Sequence, residues 1–276
     1  MLENRSKTLR GELLAEFFGT FVFLICGLGS IAQFTIYGTG SLDTIAWAWG
    51  LAAALSIYIA GGISGAHLNP AVTLALAIRR GFPCRKIIPY MSVQTLAAFL
   101  AAALIRWEYS EALNSFDPDR SKTLTVFATQ AQDFVSNTGA LRNQIIATAL
   151  LTLMIAALID ARNKPPLANL APLLLGLSVT VGIMTLAVNG GYAINPARDF
   201  GPRLLAWISG WDSAFTAHDH FWWVPIVGPL IGGPLGIALY DLFVGRLLPW
   251  QGNSDAGRTV KDPDAEAVVD EPSIRH

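Results

Sequence analysis

Apolar positions in this chain fall into long blocks without charge. Thr44 to Ile78 contains no Asp, Glu, Lys or Arg, and neither does Pro165 to Ala197. Shorter uncharged blocks cover Ile87–Ile105, Asn143–Ile159 and Phe221–Tyr240, and Gly11–Ile36 carries only Glu12 and Glu16. A helix that crosses a hydrocarbon layer of roughly 30 Å needs about 20 mostly apolar residues, so the pattern predicts several membrane spans. The two longest blocks, at about 33–35 residues, exceed one span and fall short of two spans with a loop. A full span plus a half-length helix fits them, because about ten further residues at a rise of about 1.5 Å reach half-way through the layer. The order along the chain is span, span plus half, span, and after a polar stretch it repeats. Three crossings precede the second copy, which therefore enters from the opposite face.

The expected fold is an all-α membrane protein: six transmembrane helices plus two half-helices in an inverted repeat, with copies at about 8–107 and 143–247. Composition agrees, at 53% hydrophobic and 14% charged residues, against about 25% charged in soluble domains. The first apolar block follows Arg5, Lys7 and Arg10 but is too long for a signal-peptide core and holds Glu16, so it reads as a retained span. With both termini cytoplasmic, 13 of the 19 Lys and Arg fall on the cytoplasmic side, as the positive-inside rule requires. Residues 1–250 form a single channel domain in this reading, and 251–276 a disordered cytoplasmic tail. The connection Glu108–Arg142 is polar and joins the halves outside. Cys26 and Cys84 suggest no disulfide framework, and a net charge of −1 gives no footprint for nucleic acid. Gly228, Gly232 and Gly236 put small residues four apart on one helix face, which suits close helix packing.

Candidate chemistry sits in two Asn-Pro-Ala turns, Asn69-Pro70-Ala71 and Asn195-Pro196-Ala197. Asn is a preferred helix N-cap and Pro is tolerated at the first helical position, so each turn reads as a helix start inside apolar sequence. Irregular backbone at that depth is tolerated only where protein or a watery cavity surrounds it. The Gly-rich leads at 61–68 and 189–194 supply such backbone, offering the carbonyls of Gly65, Ala66 and His67 and of Gly191, Tyr192 and Ala193 to a pore, while the Asn69 and Asn195 amides offer donors. Two half-helices meeting at the midplane direct their positive ends at one another, which disfavours cations and protons.

These residues resemble the aquaporin family (major intrinsic proteins) over roughly 8–250. Ser64-Gly65-Ala66-His67-Leu68-Asn69-Pro70-Ala71-Val72-Thr73 is similar to the family's first signature, and Asn195-Pro196-Ala197-Arg198-Asp199-Phe200-Gly201-Pro202-Arg203 to the second in its glycerol-facilitator form. Asp199 and Pro225 also resemble the glycerol-conducting branch. The resemblance implies a selectivity filter of Trp49, Ile183, Tyr192 and Arg198. Trp49 and Tyr192 would face a polyol's carbons, and Arg198 would offer fixed donors and repel cations. Asp199 is expected to support its loop through Arg203, and Glu16 to orient the first half-helix loop.

Two positions depart from the pattern. Ile183 stands where glycerol facilitators have glycine and water channels histidine. Thr148 stands where a second buried glutamate is expected, which leaves the second loop without its usual support. The implied function is a passive channel for glycerol and similar small neutral solutes with some water, in the cell membrane, as a homotetramer embedded in lipid. Ile183 motivates an alternative, a channel mainly for water, urea or undissociated metalloid acids. A secondary transporter would need ionisable coupling residues at the midplane, and beyond Glu16, Arg198 and Asp199 the spans offer none. No nucleophile–base pair points to an enzyme, and neither cofactor nor metal is expected. His67 has no Cys, Asp or Glu at ligand spacing, and a metal or pH role for His218 and His220 has little support.

Overall fold

The computed structural model describes residues 8–249; the expected disordered tail lies outside them. The chain runs through α1 (Leu9–Tyr37), α2 (Leu42–Ser64), α3 (Pro70–Arg80), α4 (Ile87–Glu108), α5 (Ser110–Phe116), α6 (Leu124–Phe127), α7 (Asn137–Ile159), α8 (Ala171–Gly190), α9 (Pro196–Ile208), α10 (Ala217–His220) and α11 (Val224–Phe243). Six of these, α1, α2, α4, α7, α8 and α11, are long and apolar enough to cross a membrane. Side chains such as Leu14, Phe18, Leu55, Ile88, Val181 and Phe243 point outward. That arrangement suits a lipid solvent and would be costly in water.

Helix ends follow from local chemistry. The Thr8 hydroxyl accepts from Gly11 N–H at 3.2 Å to open α1. Ser41 and Thr44 cap α2 reciprocally. Packing inside the bundle depends on missing side chains. On α11, a Cβ at Gly228, Gly232 or Gly236 would collide with α7 at Gln144, Ile145 or Ala149. At Gly233 it would sit 2.7 Å from the Ala71 carbonyl of α3. At Gly201 of α9 it would come 2.8 Å from the Thr95 carbonyl of α4. Helix backbones therefore approach closely where lipid supplies no hydrophobic drive for association.

Charged side chains gather on the face where α1 begins and α11 ends. Lys86 Nζ meets Glu12 at 2.6 Å, and Asp241 accepts from Arg79 and Arg80 at 2.8 and 2.7 Å, fastening the end of α3 to α11. Arg162 holds Asp160 at 2.9 Å just beyond α7. Hydrogen bonding from Arg162, working against partial burial, keeps the Asp160 carboxyl at about 2.

The connection 108–142 is more than a polar tether. It contains α5 and α6, and Leu124, Val126 and Phe127 are buried at the mouth of the bundle. Phe127 packs edge-on against Trp211 at 5.1 Å. Its base is Asp117, whose carboxylate accepts from the N–H groups of Ser121, Lys122 and Thr123 and from the Thr123 hydroxyl. Burial raises the Asp117 pKa, but those donors outweigh it and bring the group down to about 2.

Candidate functional site

Both Asn-Pro-Ala turns start half-helices, as their composition dictates. Asn69 Oδ1 accepts from Ala71 N–H at 2.8 Å, and Asn195 Oδ1 accepts from Ala197 and Arg198 N–H at 3.0 and 3.2 Å. Each proline occupies the first turn, where its missing N–H costs nothing. The amide nitrogens tie the loops together: Asn69 Nδ2 donates to the Ile194 carbonyl and Asn195 Nδ2 to the Leu68 carbonyl, both at 2.8 Å. One proton of each amide is thereby engaged, which leaves one for the cavity. The leads reach this geometry through left-handed backbone at Gly65, Ala66 and Leu68 (φ 89°, 49° and 53°) and at Gly191 and Ile194 (φ 73° and 47°). For Ala66, Leu68 and Ile194 that conformation costs on the order of 1 kcal/mol each and must be held from outside.

At the first lead the holder is Glu16, fully buried on α1. Its carboxylate accepts from Ser64 Oγ and His67 N–H at 2.7 Å, and from Leu68 N–H and Gln94 Nε2 at 2.8 Å. His67 Nδ1 lies 3.1 Å from the Thr73 hydroxyl, and the ring packs edge-on against Phe82. The second lead has no carboxylate. Thr148 instead donates to the Gln144 carbonyl of its own helix at 2.7 Å. Gln144, one turn earlier, supplies the support that the sequence left unassigned. Its Oε1 accepts from Ile194 N–H at 3.0 Å, and its Nε2 donates to the Gly190 and Gly191 carbonyls at 3.3 and 3.0 Å. A buried amide one turn from the expected position was the available signal.

A cavity of about 430 Å³ passes both turns and is lined by Trp49, Ile183, Tyr192, Arg198, Asn69 and Asn195 among others. Ala66, His67 and Ala193 also line it; Gly65, Gly191 and Pro225 do not, and Pro225 is buried at the start of α11. Arg198 is 6% exposed. Its guanidinium carbon sits 4.7 Å from the centroid of the Trp49 ring, and Nη1 donates to the Phe127 carbonyl at 3.2 Å. A buried guanidinium requires such partners. Trp49 is buried against Phe23, edge-on at 5.0 Å, rather than anchored at a membrane interface. Behind Arg198, the carboxylate of Asp199 accepts from Arg203 Nε at 2.7 Å with both side chains fully buried. Arg203 also donates to the Ala214 and Thr129 carbonyls, and Thr129 N–H donates to Asp199. Thr129 also borders the cavity, so this network joins the 108–142 connection to its wall.

Phe127 and Thr129 escaped the sequence reading because a polar connection gives no sign that it folds back over the mouth. Among the described residues, no group of three or more His, Cys, Asp or Glu is placed to hold a metal. His218 Nε2 lies 2.7 Å from the Val135 carbonyl oxygen.

Six apolar crossings and two half-helices joined tip to tip beside one cavity define a multi-pass membrane channel. The chain belongs to the major intrinsic protein family, whose model matches residues 3–240. It is 40% identical to aquaglyceroporin-2 of Rhizophagus irregularis over 90% of this chain and 80% of that one. It is 37% identical to the glycerol uptake facilitator protein of Escherichia coli (strain K12) over 89% of this chain and 92% of that one, and 37% identical to aquaporin-9 of Homo sapiens over 86% and 83%. Among solved structures it is similar to the aquaglyceroporin from Plasmodium falciparum, with a TM-score of 0.80 and 31% identity over 87% of this chain and 99% of that one.

Proposed function

We propose that the chain is a passive channel for glycerol and similar small neutral solutes, with some water, and that it excludes ions and protons. The observation that carries this reading is Arg198, a desolvated cation opposite Trp49 in the cavity wall. It offers donors to hydroxyls while its charge opposes cations. Trp49, Ile183, Tyr192 and Arg198 act as the filter, with Trp49 and Tyr192 as the apolar corner for a carbon backbone. The first lead's carbonyls act as acceptors for passing hydroxyls. The relatives named as aquaglyceroporins and as a glycerol facilitator support the substrate class. Both termini are cytoplasmic by the Lys and Arg distribution, the membrane is the cell membrane, and the assembly is a homotetramer.

Stopped-flow light scattering of proteoliposomes under glycerol, urea and water gradients tests this directly. Glycerol permeability should exceed that of empty vesicles; equality would remove the reading. One observation favours a second reading, selection of water, urea or metalloid acids: Ile183 adds bulk to the wall that Trp49 shares. On the filter assignment, Ile183→Gly raises glycerol permeability by about tenfold, the usual worth of a small apolar group in a pocket. Unchanged flux in that variant would take Ile183 out of the filter.

A further inference from the structure

Arg106, in the last turn of α4, and Arg120, in the segment after α5, share one aromatic partner. Their guanidinium carbons lie 5.8 and 4.9 Å from the centroid of the fully buried Trp211 ring. Trp211 is itself fixed by its indole N–H, which donates to the Thr123 hydroxyl at 3.1 Å, and by its contact with Phe127. Two like charges thus meet at one ring. Among the described residues, no carboxylate lies within ion-pair distance of either. Arg120 engages its donors locally, on the Leu113 and Asp117 carbonyls and on Asn114. Arg106 does not: its Nε is buried without a hydrogen-bond partner among the described residues. A guanidinium held at an aromatic ring still offers a planar fork of N–H donors, the geometry that matches phosphate.

The surroundings put this fork at head-group level. Leu100, Leu104 and Trp107 are exposed apolar side chains four and three residues apart, hence on one face of α4. Trp107 closes that stripe at the end of the span, where membrane-facing Trp collects. Arg106, half-buried, precedes it by one residue.

We propose that Arg106, held at Trp211 beside Arg120, is a binding site for a phosphate group, and its place at the end of a lipid-facing stripe assigns that phosphate to a phospholipid. The phosphate supplies acceptors to the Arg106 fork and offsets the repulsion between the two guanidiniums. Since Trp211 also holds Thr123 and Phe127, the bound head group fastens the loop over the mouth to α4. The site does not depend on which solute the channel passes.

Thermal unfolding of the full chain in detergent, titrated with lipid, reads the site, because a ligand of the native state raises the midpoint. The probes are dioleoylphosphatidylglycerol, dioleoylphosphatidylcholine, inorganic phosphate, and dioleoylglycerol, which has the same chains and no phosphate. Both phospholipids should raise the wild-type midpoint, and dioleoylglycerol should not. Arg106→Gln should raise the half-saturating phospholipid concentration by about tenfold, the worth of a charge-assisted hydrogen bond. Arg106→Lys keeps the charge without the fork and should raise it less. Each variant is read against its own lipid-free midpoint, so lost stability and lost binding are told apart. A response to inorganic phosphate that Arg106→Gln abolishes supports the site and moves its source from lipid to solution. No response to any phosphate probe, an equal response to dioleoylglycerol, or the same half-saturation in wild type and Arg106→Gln would overturn it.

Discussion

At the first half-helix loop, a carboxylate on α1 collects four hydrogen bonds, two of them from backbone N–H groups of the lead. At the second, a neutral amide on α7 accepts one N–H and donates to two carbonyls. The cross-bonds between loops are reciprocal and the caps differ by a single N–H, which Asn195 accepts in addition, so the main difference lies in the support. It has a consequence for the carbonyls of the two leads. Glu16 binds donors only, so the carbonyls of Gly65, Ala66 and His67 keep both lone pairs. Gln144 takes up part of the accepting capacity of Gly190 and Gly191. The inverted repeat is symmetric in backbone and asymmetric in the hydrogen bonds that hold its two leads.

The largest test of this contrast is Glu16→Ala. It leaves the buried His67 and Leu68 N–H groups without an acceptor and takes from Ser64 Oγ and Gln94 Nε2 one of their two acceptors, at a cost of about 3 kcal/mol or more. Thermal unfolding in detergent should register a sharp drop, and little folded protein should survive extraction. A mild effect would mean that the two lead N–H groups find other partners. Gln144→Ala should cost less, about 1–2 kcal/mol, because only the Ile194 N–H becomes an orphan donor while carbonyls with a second lone pair tolerate the loss. Equal costs for the two variants would erase the distinction between the loops.

The smallest effect concerns the loop over the mouth, where Asp117 supports the segment leading to Phe127 and Arg198. Its folded pKa of about 2 lies below the ordinary 3.8, so its contribution is complete above pH 4 and is lost as pH falls from about 4 toward 2. The loss should be on the order of 1 kcal/mol, since a loop carboxylate is partly screened by solvent. The unfolding midpoint of Asp117→Asn, measured against pH, should lack that acid limb.

Much of this was legible in the chain. The uncharged blocks dictated six crossings because lipid tolerates no unpaired charge or backbone, and Asn-Pro inside apolar sequence dictated two buried helix starts. The pairing of Asp199 with Arg203 follows from four-residue spacing on a helix. Gln144 was not legible because the pattern points to a charge at position 148, and an amide one turn away does the same work through different atoms. Phe127 and Thr129 were missed for another reason. A backbone carbonyl aimed at a guanidinium is a three-dimensional fact with no periodic signature.

The most direct measurement of channel function is glycerol entry into wild-type proteoliposomes, with an imposed proton or sodium gradient and after its dissipation by ionophores, while an entrapped pH dye follows proton leak. A passive neutral-solute channel gives glycerol entry well above empty vesicles, identical rates with and without the gradients, and no added proton leak. Glycerol entry that collapses with the gradient, or a proton leak that accompanies it, would contradict a pore whose two half-helix tips and Arg198 exclude ions.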